Sequence, residues 1–88
     1  MTRNEVEQWA EENDVTLVIL DGLDNAIVGI ASDGLECPKV VYSKSKVVDA
    51  LVSDGMTRDE ALDWYCYNTL RSLPYMGKEA PIFLEEVE

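Results

Sequence analysis

The sequence predicts an α+β fold, in which a small and mainly antiparallel sheet of about four strands is packed by two to three helices. Two sequences typical of capping boxes each precede an apolar pattern with helical spacing. Short runs rich in β-branched residues alternate with clusters of Gly, Pro, Asn and Asp, which is typical of strands and turns. With 88 residues, 47% of them hydrophobic, the chain suits one domain spanning 1–88. The predicted element order is α-β-β-β-α-α-β.

The first predicted element is a helix that begins with a capping box at residues 2–5. Val6, Trp9 and Ala10 then share one helical face, and acidic residues occupy the rest of the surface. The Asn-Asp pair at 13–14 is expected to end the helix. Because acidic side chains near its C-terminal end oppose the helix dipole, we expect this helix to depend on the docking of Trp9.

Two strands are predicted next, at 15–20 and 26–31. The first run is apolar at five of six positions, which is typical of a strand covered on both faces. The residues between them, 21–25, are rich in Asp, Gly and Asn, and therefore favour a turn that joins the strands as an antiparallel hairpin. Gly29 indicates either a β-bulge or a close approach by a bulky neighbour such as a tryptophan.

A third strand is predicted at 39–42, followed by a helix capped by Ser43. The inner face of that helix is expected to hold Val47, Val48, Leu51 and Val52. Gly55 stands where a glycine commonly ends a helix, and Met56 is placed for the apolar contact of a Schellman motif.

A second capping box at 57–60 begins the most clearly patterned helix of the chain. Its apolar stripe is predicted to hold Leu62, Tyr65, Cys66, Thr69, Leu70 and Leu73. Pro74 is expected to end the helix, and 81–84 is expected to form the last strand, because proline is tolerated at a strand's first residue. Cys66 should therefore lie inside, whereas Cys37 lies in a loop.

The charge is strongly negative, with 18 acidic residues, 7 basic residues and no histidine, for a net charge of −11. Such a field repels phosphate backbones and anionic lipids, so it disfavours direct nucleic-acid or membrane binding. It suits a protein partner with a basic surface, although acidity also serves solubility alone. The candidate partner-binding residues on the first helix are Glu5, Glu7, Glu11 and Glu12.

These glutamates would form one negative face with Glu85, Glu86 and Glu88 if the first helix and the last strand lie side by side. A face of this kind resembles a phosphate array, and a DNA mimic of this type would occupy the basic channel of a nucleic-acid-binding protein. The basic residues Lys39, Lys44 and Lys46 collect around the third strand. Two opposite poles would also permit head-to-tail association.

The sequence favours a protein that is not an enzyme and needs no cofactor. The absence of histidine excludes Ser–His, Cys–His and histidine-ligated zinc sites, and no phosphate-binding glycine motif occurs. Asp21, Asp24 and Asp33 flank the predicted hairpin, but their spacing does not match an EF-hand, and aspartates commonly stabilise turns. Without a signal peptide or a long apolar run, the expected location is cytoplasmic.

Trp64 and Tyr67 lie three residues apart on a face beside the apolar stripe. The commoner outcome for such a pair is packing, here beneath the first helix. The alternative is an exposed aromatic anchor for a partner or a homodimer, surrounded by Asp59, Glu60 and Asp63.

A set of short segments forms the pattern DGLDxAIxG…DGMTxxEA…PIF. Its parts are Asp21–Gly29, Val40–Tyr42, Asp54–Thr57, Glu60-Ala61, Tyr67-Asn68 and Pro81–Phe83. Spread over about residues 15–84, the pattern resembles a family of small uncharacterised proteins found mostly in bacteriophages and related bacterial sequences. Relatives usually place a glycine-rich loop before the last strand, where this chain has residues 71–76. The resemblance implies a phage accessory protein that acts in the host cytoplasm on a host target, and it brings no established activity.

The expected function is therefore that of a non-enzymatic acidic binding protein, a host inhibitor or other accessory factor that engages a protein with a basic surface, such as a nucleic-acid-binding protein. One alternative is a self-associating structural protein that uses Trp64 and Tyr67 or an open sheet edge. The other is a carboxylate or metal-dependent enzyme built on the three aspartates.

Overall fold

The computed structural model describes residues 1–20, 22–32, 38–77 and 80–85 and has an α+β fold. Its helices are α1 (Arg3–Glu12), α2 (Lys44–Ser53) and α3 (Arg58–Trp64). Its strands are β1 (Ile27–Ala31), β2 (Lys39–Ser43) and β3 (Ile82–Leu84). A 3₁₀ turn (Asp24–Ala26) precedes β1, and a π turn (Tyr65–Thr69) followed by a 3₁₀ segment (Leu70–Tyr75) continues α3.

The sheet is mixed, with the order β1-β2-β3. β1 pairs with β2 in the antiparallel sense, whereas β3 pairs with β2 in the parallel sense. The prediction of about four mainly antiparallel strands is therefore wrong in number and in orientation. Of the four predicted strands, 15–20 is the one that the described sheet lacks, so its predicted hairpin with 26–31 is also absent.

Residues 15–20 stabilise the fold through side chains rather than through a backbone ladder. Leu17, Ile19 and Leu20 pack on the buried core. The Leu20 N–H donates a hydrogen bond to the Tyr42 hydroxyl at 2.8 Å. The predicted partner, β1, pairs with β2 on one side only in the described sheet, so the absence of the 15–20 hairpin does not come from a lack of space. An apolar, β-branched composition alone did not determine strand pairing.

A β-bulge interrupts the pairing of β1 with β2 between Ile27 and Gly29, as one of the two readings of Gly29 predicted. A methyl group built on Gly29 would meet no heavy atom within 4 Å. The close approach of a bulky neighbour, the other reading, is therefore not the reason for this glycine. Gly29 lies opposite Val41, and Val41 lies opposite Ile82. Because paired residues share a face of the sheet, the bulge at Gly29 lies on the same outer face as Val41 and Ile82.

The core lies between the inner face of the sheet and the helices, and Tyr42 is at its centre with no exposed surface. Tyr42 stacks on Phe83 of β3 with 5.5 Å between ring centroids. Tyr65 meets the same Phe83 ring edge-to-face at 5.4 Å. These ring contacts link β3 and the π turn to β2, the central strand of the sheet. On α1, Val6 is the buried residue, whereas Trp9 is half-buried.

Both predicted capping boxes are present. The Thr2 and Thr57 hydroxyls accept from the amides of Glu5 and Glu60, each at 3.2 Å, and both glutamates accept in return from the threonine amides. Ser43 caps α2, accepting from the Lys46 amide. In each of these helix caps the interacting groups are three residues apart, which is why the caps could be predicted from the sequence.

The Schellman ending predicted for α2 is confirmed. The Gly55 amide donates to the Val52 carbonyl at 3.0 Å, and the Met56 amide donates to the Leu51 carbonyl at 3.3 Å. Gly55 has φ of +110°, a conformation that side chains rarely adopt. Val52, which was predicted to be internal, is instead 39% exposed.

Replacing Gly55 by alanine should destabilise the protein by about 1 kcal/mol or more, because alanine is strained at this φ. The matched control is Gly29→Ala, where φ is not positive and the added methyl meets no neighbour. That variant should be neutral or slightly stabilising. Urea denaturation measures both, and equal effects for the two variants would contradict this account.

The third helix departs from the predicted stripe. After Trp64 the hydrogen bonds widen to the i→i+5 pattern of a π turn, which changes which residues face inward. Ala61, Tyr65 and Thr69 are buried, whereas Cys66 and Leu70 are exposed, so the predicted inward position of both residues is wrong.

Pro74 was expected to end the helix, but it lies inside the 3₁₀ segment. The fixed φ of proline is compatible with 3₁₀ geometry, and helical structure therefore continues to Tyr75. Among the described residues, no helix is both long enough and apolar enough to cross a membrane.

Candidate binding surface

A shallow depression on the outer side of α3 brings together two aromatic rings and two carboxylates. We call it the aromatic-acidic depression, and its volume is about 310 Å³. It is lined by Met56, Glu60, Asp63, Trp64, Tyr67 and Asn68. Trp64 is 38% exposed and Tyr67 is 66% exposed. The favoured prediction, packing beneath the first helix, is therefore wrong, and the alternative, exposure of the pair, is observed.

The junction between α3 and the π turn positions these two aromatic residues. Trp64 is the last residue of α3, and Tyr67 lies in the middle of the π turn. The Asn68 side chain donates to the Trp64 carbonyl at 3.2 Å, which links the π turn to the end of α3. π turns inside α-helices occur frequently at functional sites, and this one lies directly beneath the depression.

The two carboxylates of the depression differ in how they are held. Glu60 accepts from the Thr57 amide at 3.2 Å within the capping box, which fixes its side chain. Asp63 lies one residue before Trp64 and is exposed. Two negative groups beside two π faces form a surface that attracts cations by Coulomb and cation–π terms together.

The Tyr67 ring already accepts a cation from within the chain. The Arg71 guanidinium carbon lies 5.7 Å from the ring centroid. This distance is within the range of a cation–π contact. The intramolecular pair shows that one ring of the depression has a geometry suited to arginine.

The four glutamates predicted on α1 are all exposed, and three of them have local partners. Glu5 belongs to the capping box, where hydrogen bonds from the Thr2 backbone and then the Thr2 side chain lower its pKa. Glu7 accepts from Arg3 at 3.1 Å, and Glu12 accepts from Gln8 at 3.1 Å. Glu11 is the fourth.

The first helix and the last strand do not lie side by side, which the predicted single negative face required. α1 packs against β1, whereas β3 lies at the opposite edge of the sheet. Glu85 is paired with a lysine, because its carboxylate accepts a hydrogen bond from the Lys44 ammonium at 2.6 Å. Glu86 and Glu88 lie outside the described residues. In the basic group, Lys39 is on β2, and Lys44 and Lys46 are on α2.

The Lys44–Glu85 pair joins the end of β3 to the start of α2. The hydrogen bond from Lys44 and its charge hold the pKa of Glu85 below the ordinary value of 4.5. The ammonium nitrogen of Lys44 also lies 5.9 Å from the centroid of the Tyr65 ring. Burial, and then the charges of Glu85 and Cys66, raise the pKa of the Tyr65 hydroxyl to about 12.

A lowered carboxylate pKa makes the stabilisation by Glu85 dependent on pH. It is fully present above the ordinary pKa of 4.5 and is lost as the pH falls through the lower folded-state value. Glu85→Gln should therefore lower the melting temperature at neutral pH, and the gap to wild type should close in acid. Glu11→Gln removes the same charge without a lysine partner and serves as the control; a gap that persists in acid would contradict the assignment.

The three aspartates weighed as an alternative metal site have one member within the described residues, Asp24. Its Oδ1 lies 3.6 Å from a guanidinium nitrogen of Arg3. Asp21, Asp33 and Cys37 lie outside the described residues. No group of three or more Asp, Glu or Cys side chains suited to a metal is found in the described ranges.

Comparisons of the chain with protein-family models, with curated proteins and with solved structures find no match. The site is therefore interpreted from its own residues. Sequence reasoning identified Trp64, Tyr67 and the two carboxylates, but it missed Met56 and Asn68 as lining residues. For Asn68 the signal was present, since it lies four residues after Trp64 and so on the same side of the helix.

Proposed function

We propose that this chain is a non-enzymatic acidic binding protein that engages a protein partner through the aromatic-acidic depression. The observation that carries the proposal is the exposure of Trp64 and Tyr67 in one depression with Glu60 and Asp63. Tryptophan and tyrosine are among the residues that dominate binding energy at protein interfaces. Their exposure on a small domain therefore supports a role in binding a protein partner.

The electrostatics define the partner's chemistry. A net charge of −11 attracts a basic surface over distance, and the carboxylates of the depression pair with lysine or arginine on contact. The aromatic faces add cation–π energy, which is larger for groups removed from water. The partner presents at least one basic side chain to Trp64 and Tyr67.

The resemblance to phage proteins suggests the biological setting for such a partner. A phage accessory protein in the host cytoplasm encounters host nucleic-acid-binding proteins, whose surfaces are basic. An acidic protein that covers such a surface would act as an inhibitor or DNA mimic. This setting belongs to the proposal and specifies where to look for the partner.

A pull-down from bacterial lysate with charge variants tests the proposal. Wild type should retain a basic protein that elutes as salt screens the contacts, and Glu60→Gln with Asp63→Asn should lose it. Glutamine preserves the capping box at Glu60, so the variant is expected to fold. Retention by this variant would overturn the proposal.

The matched control is Glu11→Gln with Glu12→Gln, which removes the same charge from α1. It should retain the partner. Equal loss in both variants would indicate a response to net charge, and loss only in the α1 variant would assign binding to the α1 glutamates instead.

Self-association is the second candidate, and the outer face of the sheet favours it. Ile82 and Leu84 of β3 are 40% and 43% exposed, and Ile82 lies opposite Val41 of β2. Sedimentation equilibrium distinguishes the candidates. A dimer that Ile82→Ser dissociates, with no captured partner, would replace the binding proposal with self-assembly.

A further inference from the structure

A second depression lies on the other side of Trp64. Its volume is about 380 Å³, and it shares Trp64 and Asn68 with the aromatic-acidic depression. We call it the leucine depression, because Leu20, Leu23 and Leu51 line it. Trp64 thus forms a wall between two adjoining depressions.

The two depressions differ in chemistry. The leucine depression has mainly apolar walls, and its polar lining residues are Asp54, Asn68, Thr69 and Ser72 beside Gly22. One of those hydroxyls is already engaged, since Ser72 donates to the Thr69 carbonyl at 2.7 Å. The two depressions together carry three carboxylates, and their described lining residues include no basic side chain, although Arg71 contacts the Tyr67 ring of the aromatic-acidic depression.

An apolar cavity beside an acidic one selects for two properties in a ligand. Aliphatic side chains gain free energy when they leave water, and the leucine walls offer that burial. Cations gain from the carboxylates and from the Trp64 ring. A single chain segment that crosses Trp64 satisfies both depressions.

We infer that the two depressions together bind a linear protein segment with a basic side chain for the aromatic-acidic depression and a nearby aliphatic side chain for the leucine depression. This inference rests on the proposed function and specifies its ligand. Charge complementarity selects the basic member, and the three leucines select the aliphatic one. The Trp64 indole contacts both side chains.

Selection from a displayed library of random linear peptides tests the inference. The retained peptides should contain lysine or arginine with leucine, isoleucine or valine a few positions away. In synthetic versions, replacing the aliphatic residue by alanine should weaken binding to wild type roughly tenfold. Fluorescence of Trp64 in a Trp9→Phe background reports binding directly, because Trp64 is then the only tryptophan.

The protein variant for this test is Ser72→Leu, which fills the leucine depression without removing a core side chain. It should weaken the aliphatic peptide roughly tenfold and leave its alanine version unchanged. Ser53→Leu, on the exposed end of α2, is the matched control and should change neither. Because the peptide change is made against wild type, the test does not depend on how Ser72→Leu folds.

Two failures are distinguishable. Peptides selected for basic residues alone, with no aliphatic preference, would overturn this inference and leave the proposed function standing. Absence of basic residues among the selected peptides, or binding unchanged by Glu60→Gln with Asp63→Asn, would overturn both.

Discussion

Replacing Tyr42 by alanine is expected to lower the free energy of unfolding by about 3–5 kcal/mol, the cost of deleting a large buried aromatic ring. Tyr42 has no exposed surface and stacks on Phe83. A chain of this length is stabilised by roughly 4–13 kcal/mol in total. The variant should therefore lose much of its stability, which urea denaturation measures as a lower midpoint.

The Tyr42→Phe variant separates the ring from the hydroxyl. It keeps the stack on Phe83 but leaves the Leu20 amide without its hydrogen bond, at an expected cost of about 1–3 kcal/mol. The amide exchange of residues 15–20 should rise in this variant more than elsewhere. If Tyr42→Phe lowers the free energy of unfolding as much as Tyr42→Ala does, then the hydroxyl and not the ring provides the stabilisation, which would contradict this prediction.

Replacing Trp64 by alanine is expected to weaken partner binding by about 2 kcal/mol or more, roughly thirtyfold. Both depressions are lined by Trp64 and Asn68, and of these two residues Trp64 is the aromatic one. The loss of its ring therefore removes a ligand contact from both depressions. Titration calorimetry with the captured partner measures the change. Circular dichroism shows whether the helical fold is retained.

The control for this variant is Tyr75→Ala, since Tyr75 is 91% exposed and lines neither depression. It removes an exposed aromatic ring of similar size from the same helical region. Binding should be unchanged. If both variants weaken binding equally, the loss follows exposed aromatic surface in general and not the site around Trp64.

Features determined by neighbouring residues could be predicted from the sequence. The capping boxes at Thr2 and Thr57 and the ending at Gly55 depend on side chains and amides within a few positions. They were identified correctly because the interacting groups are adjacent in the chain.

Features determined by distant partners could not be predicted. The run at 15–20 has the composition of a strand, but its side chains pack on the core and its Leu20 amide bonds the hydroxyl of Tyr42, which is remote in sequence. Burial of Tyr65 against Phe83 likewise fixes the inward face of the third helix. The π turn moves Cys66 outward, and no residue pattern in this segment announced it.

The candidate site shows the same division. Helical spacing placed Trp64 and Tyr67 together and near Glu60 and Asp63. Whether that face was buried or exposed depended on where α1 docks, and α1 packs on β1. The leucine depression depends on Leu20, from the run wrongly predicted as a strand, and on Leu23, from the turn predicted to close the hairpin that does not form.

The parallel pairing of β3 with β2 has a consequence for the order of folding. β1 and β2 are close along the chain, so their ladder closes a short loop, whereas β3 reaches β2 only after residues 44–81 have returned to the sheet. Closing the longer loop costs more entropy, and contacts of this range slow folding. We expect the β1–β2 ladder to form before β3 joins it, so Phe83, which contacts both Tyr42 and Tyr65, should be among the last residues to reach the core. Until β3 pairs with β2, both tyrosine rings lack their common neighbour.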